Sequence, residues 1–457
     1  MTKRLQNYIG GEWVESAASA TIPVIDPATC ETLAECPDST AADVDRAVKA
    51  AREGFAEWRA TPVMVRAQYM HHFKVLMEAN FDKLADMVVR ENGKTIDEAR
   101  GEVRRAVEAI DYGIGVPFLM RSDGMEDVSS GIDETTLRQP AGVFAAITPF
   151  NFPNMVPLWF LPTAITCGNT FILKPSPQTP VTSSMALMEH PGVTGVSFVG
   201  STPVAKIVYE TCTRHGKRVQ AQGGAKNYIA VMPDANMEAS VRNILGAAYG
   251  CAGQRCLAAA VVVGVGEAYD KLRDELVKQA SKLRVGYGLN EQTQMGSVIS
   301  AASRERIERM IARGVEEGAE VILDGRGHKV EGYENGTFVG PTILGEVKPG
   351  TTVATEEIFG PVLSLMRADD FDEAVEVINS SHYGNAASIF TSSGGYAREF
   401  KYRVNAGNIG VNIGVAAPSA SFPFGGQKDS FFGDLHGQGS DSIEFYTERK
   451  IVIERWL

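Results

Sequence analysis

Residues 143–174 read VFAAI-TPFNFPN-MVPLWFLPTAI-TCGN-TFILK. Two short apolar runs flank a Pro-bounded turn and a longer apolar stretch. Runs of this length suit buried strands, and the stretch between them suits a crossing helix. The texture continues toward the C-terminus. GVSFVG (195–200), YIAVM (228–232), AAVVVGV (259–265), AEVIL (319–323), ASIFT (387–391) and GNIGVNI (407–413) read as strands. PVAKIVYETCT (203–213), MEASVRNILGAAYG (237–250) and segments near 267–282, 302–317 and 372–379 read as helices. Strand–helix alternation predicts an α/β protein with parallel, doubly wound sheets. Two such sets imply two α/β domains meeting near 227–234.

The first third reads as mostly helical. Thr40-x-x-Asp43 resembles a capping box, followed by Val44, Ala47, Val48, Ala51 and Phe55 at helical spacing. Further helices fit 63–80, 81–92 and about 96–118. Ile96, Ala99, Val103, Val107 and Ile110 share one face of the last. Glu134–Gln139 is extended, and SIEFYTERKIVIERW (442–456) alternates like a strand that pairs with something, another subunit included.

With 44 basic and 56 acidic residues the chain carries −12 and no basic run, which disfavours a nucleic-acid partner. Six cysteines in 457 residues make no disulfide framework, and seven histidines show no metal-ligand spacing, so no metal is expected. MTKRLQNYIGGEW lacks a signal peptide's apolar core and no run reaches the ~18 apolar residues of a membrane span. A cytoplasmic protein is expected.

Several residues suit chemistry, each beside a plainer reading. GSTPVA (200–205) and GGAKN (223–227) follow strands and would offer backbone N–H groups to a phosphate, or form tight turns. Cys256, in CAGQRCLAAA, has small neighbours and an adjacent Arg255 able to lower its pKa. Most cysteines are inert buried hydrophobes, and Cys251 competes with it. Asn151 follows a strand's carboxyl end, placed to hold an oxyanion or to cap a turn. Lys174 ends a strand as a phosphate or ribose ligand or a solvated end. Glu357, in EEIFGPV, is a lone carboxylate. Arg105 lies opposite its helix's apolar stripe, which points it to solvent.

TPFNFP, ILKPS, FVGST, GGAKN, GQRC, EEIFGPV and FGG-x-K-x-S occur in that order. The series resembles the aldehyde dehydrogenase superfamily over nearly the whole chain. VSFVGSTPVA, KRVQAQGGAKN and FFGDLHGQGSDSIEFYT are similar to its CoA-acylating malonate- and methylmalonate-semialdehyde branch. The resemblance implies a Rossmann-type cofactor domain (1–120 and 141–227), an α/β catalytic domain (228–424) and a β oligomerisation arm (121–140 and 438–457). It implies a homodimer or homotetramer using NAD, with CoA as co-substrate.

It also implies roles. Cys256 would attack the aldehyde carbon, with Asn151 and the Cys256 N–H holding the oxyanion. Thr148, Phe150, Lys174, Ser201, Gly223, Glu357 and Phe359 would contact NAD, Lys174 at the adenosine ribose and Glu357 at the nicotinamide ribose. Arg105 and Arg255 would grip a substrate carboxylate, which turns Arg105 toward a cleft. Hydrolytic relatives carry a glutamate just ahead of the double glycine; here Ala221 and Gln222 stand there, and neither takes a proton at neutral pH. A thioester without a base for water fits transfer to the CoA thiol. A hydrolytic enzyme and a catalytically retired relative are the rival readings.

The chain also departs from the family. From SSMALM (183–188) it runs almost directly into HPGVTGVSFVG (190–200), leaving out roughly 25–30 residues, about one strand–helix unit that walls the adenine slot. That loss would break the sheet order or expose an apolar strand edge. Pro177 stands where a glutamate usually follows KPS, Gln427 replaces a common tryptophan, and 414–424 walls the acyl pocket in unusual wording.

Overall fold

A computed structural model describes residues 3–176 and 181–456; Pro177 lies outside the described residues. The quoted stretch folds as a strand (Val143–Ile147), a helix (Met155–Thr166) and a strand (Thr170–Lys174). The helix is apolar on most faces because most of it is buried, Trp159 and Phe160 included. Its two strands pair in parallel, Val143 opposite Thr170 and Ile147 opposite Lys174.

Gly195–Val199 and Arg218–Gln222 extend the sheet in parallel, and Phe431–Phe432 closes it antiparallel. The strand order is 431–432, 218–222, 195–199, 143–147, 170–174. From 143–147 the chain moves first to one side and then to the other. That reversal opens a crevice beyond the carboxyl ends of 143–147 and 195–199. Arg218–Gln222 is the strand expected ahead of GGAKN, although its alternate residues are polar. Gln220 is buried all the same, donating to Ser197 Oγ at 2.7 Å.

The shortened connection leaves this order unbroken. The helix Val181–Glu189 leads through a brief turn into Gly195–Val199, and Lys217 Nζ ties that turn by donating to the carbonyls of His190 (2.6 Å) and Val193 (2.7 Å). What it leaves is an edge: 170–174 is the outermost strand, with Leu173 37% exposed. The helix Ala41–Ala60 covers part of that edge, Thr170 Oγ1 donating to Ala51 O.

Asn227–Val231 begins a second sheet of order 320–323, 342–345, 362–368, 259–265, 227–231, 386–390, 408–411. All its pairings are parallel except that of 320–323. Thr342–Gly345 and Val362–Ala368 are additions to the expected strands. Val261, Val262 and Val263 are fully buried, each worth ~1.5–3 kcal/mol of burial.

The four helices of the first third run Ala41–Ala60, Val63–Ala79, Phe81–Asn92 and Ile96–Leu119, close to expectation. Ahead of them lie strands the sequence did not announce, among them Thr21–Ile25 and Thr32–Pro37, which pair. The tail needs correction. Its first part is a helix, Gly439–Tyr446, because Ser442, Ile443 and Tyr446 bury at helical spacing and Tyr446 packs edge-on against Phe144. Only Thr447–Arg455 is strand, and its partner is in the same chain: Ile132–Pro140, with Gly124–Ser129 beyond. Among the described residues no helix is long and apolar enough to cross a membrane.

Candidate active site

An open cavity of about 1030 Å³ sits at the crevice between the two sheets. Ten of the eleven candidate residues line it. Cys256, Asn151, Arg105 and Arg255 do so, and so do Thr148, Phe150, Ser201, Gly223, Glu357 and Phe359. Lys174 does not.

Cys256 follows a strained turn. Cys251, Ala252 and Gly253 have φ of 51°, 50° and 71°, a left-handed run that costs about 1–3 kcal/mol at each non-glycine position. Only glycine fits at 253, where a Cβ would meet Gly360 O at 2.0 Å. Glu98 holds the turn through Oε1, which accepts from Cys251 N at 2.6 Å. Beyond it, Asn227 and Asn385 both donate to Cys256 O, at 2.9 and 2.8 Å. The N–H groups of Cys256 and Leu257 face the sulfur and favour its anion. Burial outweighs them and pushes the thiol up to about 12, with Glu357 adding to the rise. Arg255 pulls the other way, as expected of its charge, but does not outweigh burial. At neutral pH the resting sulfur is a thiol. Cys251 lines the same cavity but is buried, whereas Cys256 is half-buried.

Asn151 is held from behind. It is 5% exposed, and Nδ2 donates to Gln254 O at 3.0 Å, leaving its second N–H for another acceptor. Lys94 Nζ donates to Asn151 O (2.8 Å) and to Glu102 Oε2 (2.6 Å), an ion pair with no solvent exposure. Glu102 Oε1 accepts from Asn154 N (2.8 Å) and Met155 N (3.1 Å), satisfying the open end of the helix behind Asn151.

At the switch point Ser201 is the N-cap of the helix Thr202–Arg214 and is itself exposed to the cavity, its side chain free of any capping bond. Thr148 is 2% exposed, at the carboxyl end of 143–147. Phe150 and Phe359 meet edge-on at 5.9 Å, the latter at a φ of 52°. Lys174 ends its strand with no hydrogen-bond partner among the described residues. Burial pulls it down to about 8, against the pull of Cys36 and Asp38. Glu357 accepts from Ala225 N at 3.0 Å, and burial pushes it up to about 7.

At the other end Arg105 is exposed yet lines the cavity, its guanidinium reaching Pro418 O at 3.3 Å. Val415, Ala417, Pro418, Ala420 and Phe424 supply that wall, as expected of 414–424. Arg255 meets Glu98 Oε1 at 3.4 Å. Gln222 is buried and donates to Phe424 O, and neither it nor Ala221 brings a carboxylate. Among the described residues no cluster of three metal-binding side chains occurs.

The Aldehyde dehydrogenase family matches residues 13–188 and 182–452, two stretches that meet at the shortened connection. This chain belongs to the aldehyde dehydrogenase family. It is 46% identical to malonate-semialdehyde dehydrogenase 2 of Geobacillus kaustophilus (strain HTA426) over 478 aligned residues, 99% of each protein. It is 44% identical to malonate-semialdehyde dehydrogenase of Halalkalibacterium halodurans, again over 99% of each. Among solved structures, a protein of Sinorhizobium meliloti 1021 described as a methylmalonate-semialdehyde dehydrogenase, complexed with NAD, superposes with a TM-score of 0.98. It is 40% identical, covering 100% of this chain and 99% of that one. Methylmalonate-semialdehyde dehydrogenase of Oceanimonas doudoroffii gives 0.97 at 40% identity, covering 100% and 99%.

Within this aldehyde dehydrogenase site, sequence reading passed over Glu98, Lys94, Glu102 and Lys226. Glu98 carries a visible signal, since Thr95-x-x-Glu98 is a capping box. That motif announces a helix start, not a bond to a turn 153 residues away.

Proposed function

We propose that this protein oxidises a carboxylated semialdehyde, malonate or methylmalonate semialdehyde, with NAD, and passes the acyl group to CoA with loss of CO₂. The products are acetyl-CoA or propionyl-CoA. The observation that carries this reading is the pairing of Cys256 with two arginines, Arg105 and Arg255, around one cavity that has no carboxylate at 221 or 222.

The donor set fits a dinucleotide. Ser201 and the first N–H groups of its helix face the cavity at the switch point, where a diphosphate suits a helix N-terminus. The Glu357 carboxylate suits a ribose diol, and the Phe150–Phe359 pair suits a nicotinamide face. Lys174, Thr148 and Gly223 complete the contacts we assign to NAD, which when bound supplies the hydride acceptor.

The chain does the rest. Arg105 and Arg255 hold the substrate carboxylate and aim the aldehyde at Cys256. The thiol gives its proton to solvent as sulfur attacks, against the pull of burial and of the Glu357 carboxylate nearby. Asn151 Nδ2 and the backbone N–H of Cys256 stabilise the oxyanion, and loss of hydride leaves a thioester on Cys256. Gln222 activates no water, so the thioester waits for the CoA thiolate, and the exchange is nearly balanced. We assign residues 1–120 and 141–227 to the cofactor domain and 228–424 to the catalytic domain. Residues 121–140 and 438–457 are the arm, whose free strand edges pair between copies in a dimer or tetramer.

NADH formation measured with and without CoA tests the reading. We expect turnover to depend on CoA, and Arg105→Ala to slow carboxylated aldehydes about ten- to a hundredfold while sparing neutral ones. Full-rate turnover without CoA would instead make Glu357 a base for water and the protein a hydrolytic enzyme.

A further inference from the structure

Lys226 is 3% exposed, and its Nζ has no hydrogen-bond partner among the described residues. It follows Ala225, whose N–H binds the Glu357 carboxylate at 3.0 Å. A second cavity, about 20 Å³, lies against Lys226, Glu357, Gly253 and Arg255, with room for one water. The lysine and the glutamate make no direct ion pair, yet each feels the other's charge. An ammonium buried without a hydrogen bond costs stability, offset only in part by an opposite charge nearby.

We infer that Lys226 is a positioning residue: across this small polar cavity its ammonium holds the Glu357 carboxylate in its anionic form beside the Cys256 thiol. The inference rests on Cys256 being the nucleophile and adds how its neighbouring carboxyl group is kept charged.

The groups around the pair set the sign. Glu357 faces Lys226 on the loop after 218–222, the Cys256 thiol, Tyr383, and Arg306 on the helix Ala301–Glu316. The Arg306 guanidinium binds the carbonyls of Glu357 and Ile358. Lys226 faces Glu357 and the exposed Glu356. Burial pulls Lys226 down to about 7 and pushes Glu357 up to about 7. The two therefore titrate as a unit, sharing a proton that either residue can carry. With the ammonium gone, Glu357 keeps only the Ala225 N–H and Arg306 to favour its anion, so it holds its proton to higher pH. A neutral Glu357 no longer opposes ionisation of Cys256.

Alkylation of Cys256 by iodoacetamide, followed by peptide mass spectrometry over pH 5.5–9.5, reads this without substrate or NAD. In the wild type the log rate should climb with pH, flatten where Glu357 ionises near 7, and climb again. Lys226→Met should move the flattening up by about one pH unit and speed alkylation near pH 7, where Lys226 still carries much of its charge, about twofold. Lys226→Arg should keep the wild-type profile. In a Glu357→Gln background, which has no flattening, Lys226→Met should add nothing.

A Lys226→Met profile that overlies the wild type overturns the inference. An equal acceleration with Glu357→Gln also overturns it, since the lysine would then act without the carboxylate. Should Lys226→Met fold poorly, Lys226→Gln answers the same question. The underlying reading fails separately, if Cys256→Ser still oxidises the semialdehyde.

Discussion

Two lysines stand behind the cleft, Lys94 at 1% exposure and Lys226 at 3%, in opposite circumstances. Lys94 is fully engaged, bonded to Glu102 and Asn151 O and lying 4.1 Å over the Phe152 ring. Burial works against its charge, but Glu102 and its other neighbours win, and its pKa rises. Lys226 has no bonded partner among the described residues, and burial wins. The difference teaches which side of the site is frame and which is chemistry. In the proposed mechanism the Asn151 side presents a donor at one fixed point, and its charges are paired off. In the inference above the Glu357 side shares a proton with Lys226 near neutral pH, and its charges are left close to balance.

Removing a carboxylate from each side tests the contrast at its largest. Glu102→Gln leaves the Lys94 ammonium without its counter-charge, at a cost of about 3–5 kcal/mol. Glu357→Gln removes a carboxyl group that burial already disfavours as an anion, and should cost under about 1 kcal/mol. Urea unfolding of both variants beside the wild type reads the difference. Equal losses would mean the two sides are built alike.

The contrast also marks where the sequence was legible. The alternation of 143–174 announces its strands and helix because 143–147 and most of the helix bury, while the apolar run 170–174 keeps its strand character even at the sheet edge. Cys256, Asn151 and the two arginines stand out because the motifs around them carry a strong resemblance. The tail misled because Phe445 and Tyr446 sit at a helix end that alternation cannot distinguish from a strand start. Lys94 and Lys226 were hidden for a simpler reason. A lysine in or next to a glycine-containing loop reads as solvated, and only the packed chain brings Glu102 and Asn151 to one and Glu357 to the other. Glu98 was hidden similarly, its bonds to Cys251 N and Arg255 joining segments far apart in sequence.

A smaller effect sharpens the frame side alone. If the Lys94–Glu102 pair exists to place Asn151, Asn151→Ala should lower kcat about 10²–10³-fold by removing an oxyanion donor. Iodoacetamide should still label Cys256 at the wild-type rate, because Asn151 bonds Gln254 O and not the sulfur. Slower labelling would show that Asn151 supports the thiol itself, which would blur the division between the two sides.

The smallest effect concerns stability on the chemistry side. Lys226 falls from 10.5 to about 7 on folding, so between those values the unfolded chain binds the extra proton. The cost of its charge is thus fully present below about pH 7 and fades as pH rises toward 10.5. Glu357, raised from 4.5 to about 7, runs the other way: its contribution is full below 4.5 and is lost as pH rises through 7. Near pH 6 Glu357 is mostly protonated in the folded chain and has little need of the ammonium, whereas near pH 9 it is mostly ionised. Lys226→Met should therefore raise the melting temperature near pH 6, by on the order of 1–2 °C, and lose that gain by pH 9. Lys94→Met, by contrast, should lower it at both, because it strips Glu102 of its partner. A Lys226→Met gain that does not change with pH would show that Lys226 and Glu357 do not titrate together, and the two lysines would then differ only in how well they are packed.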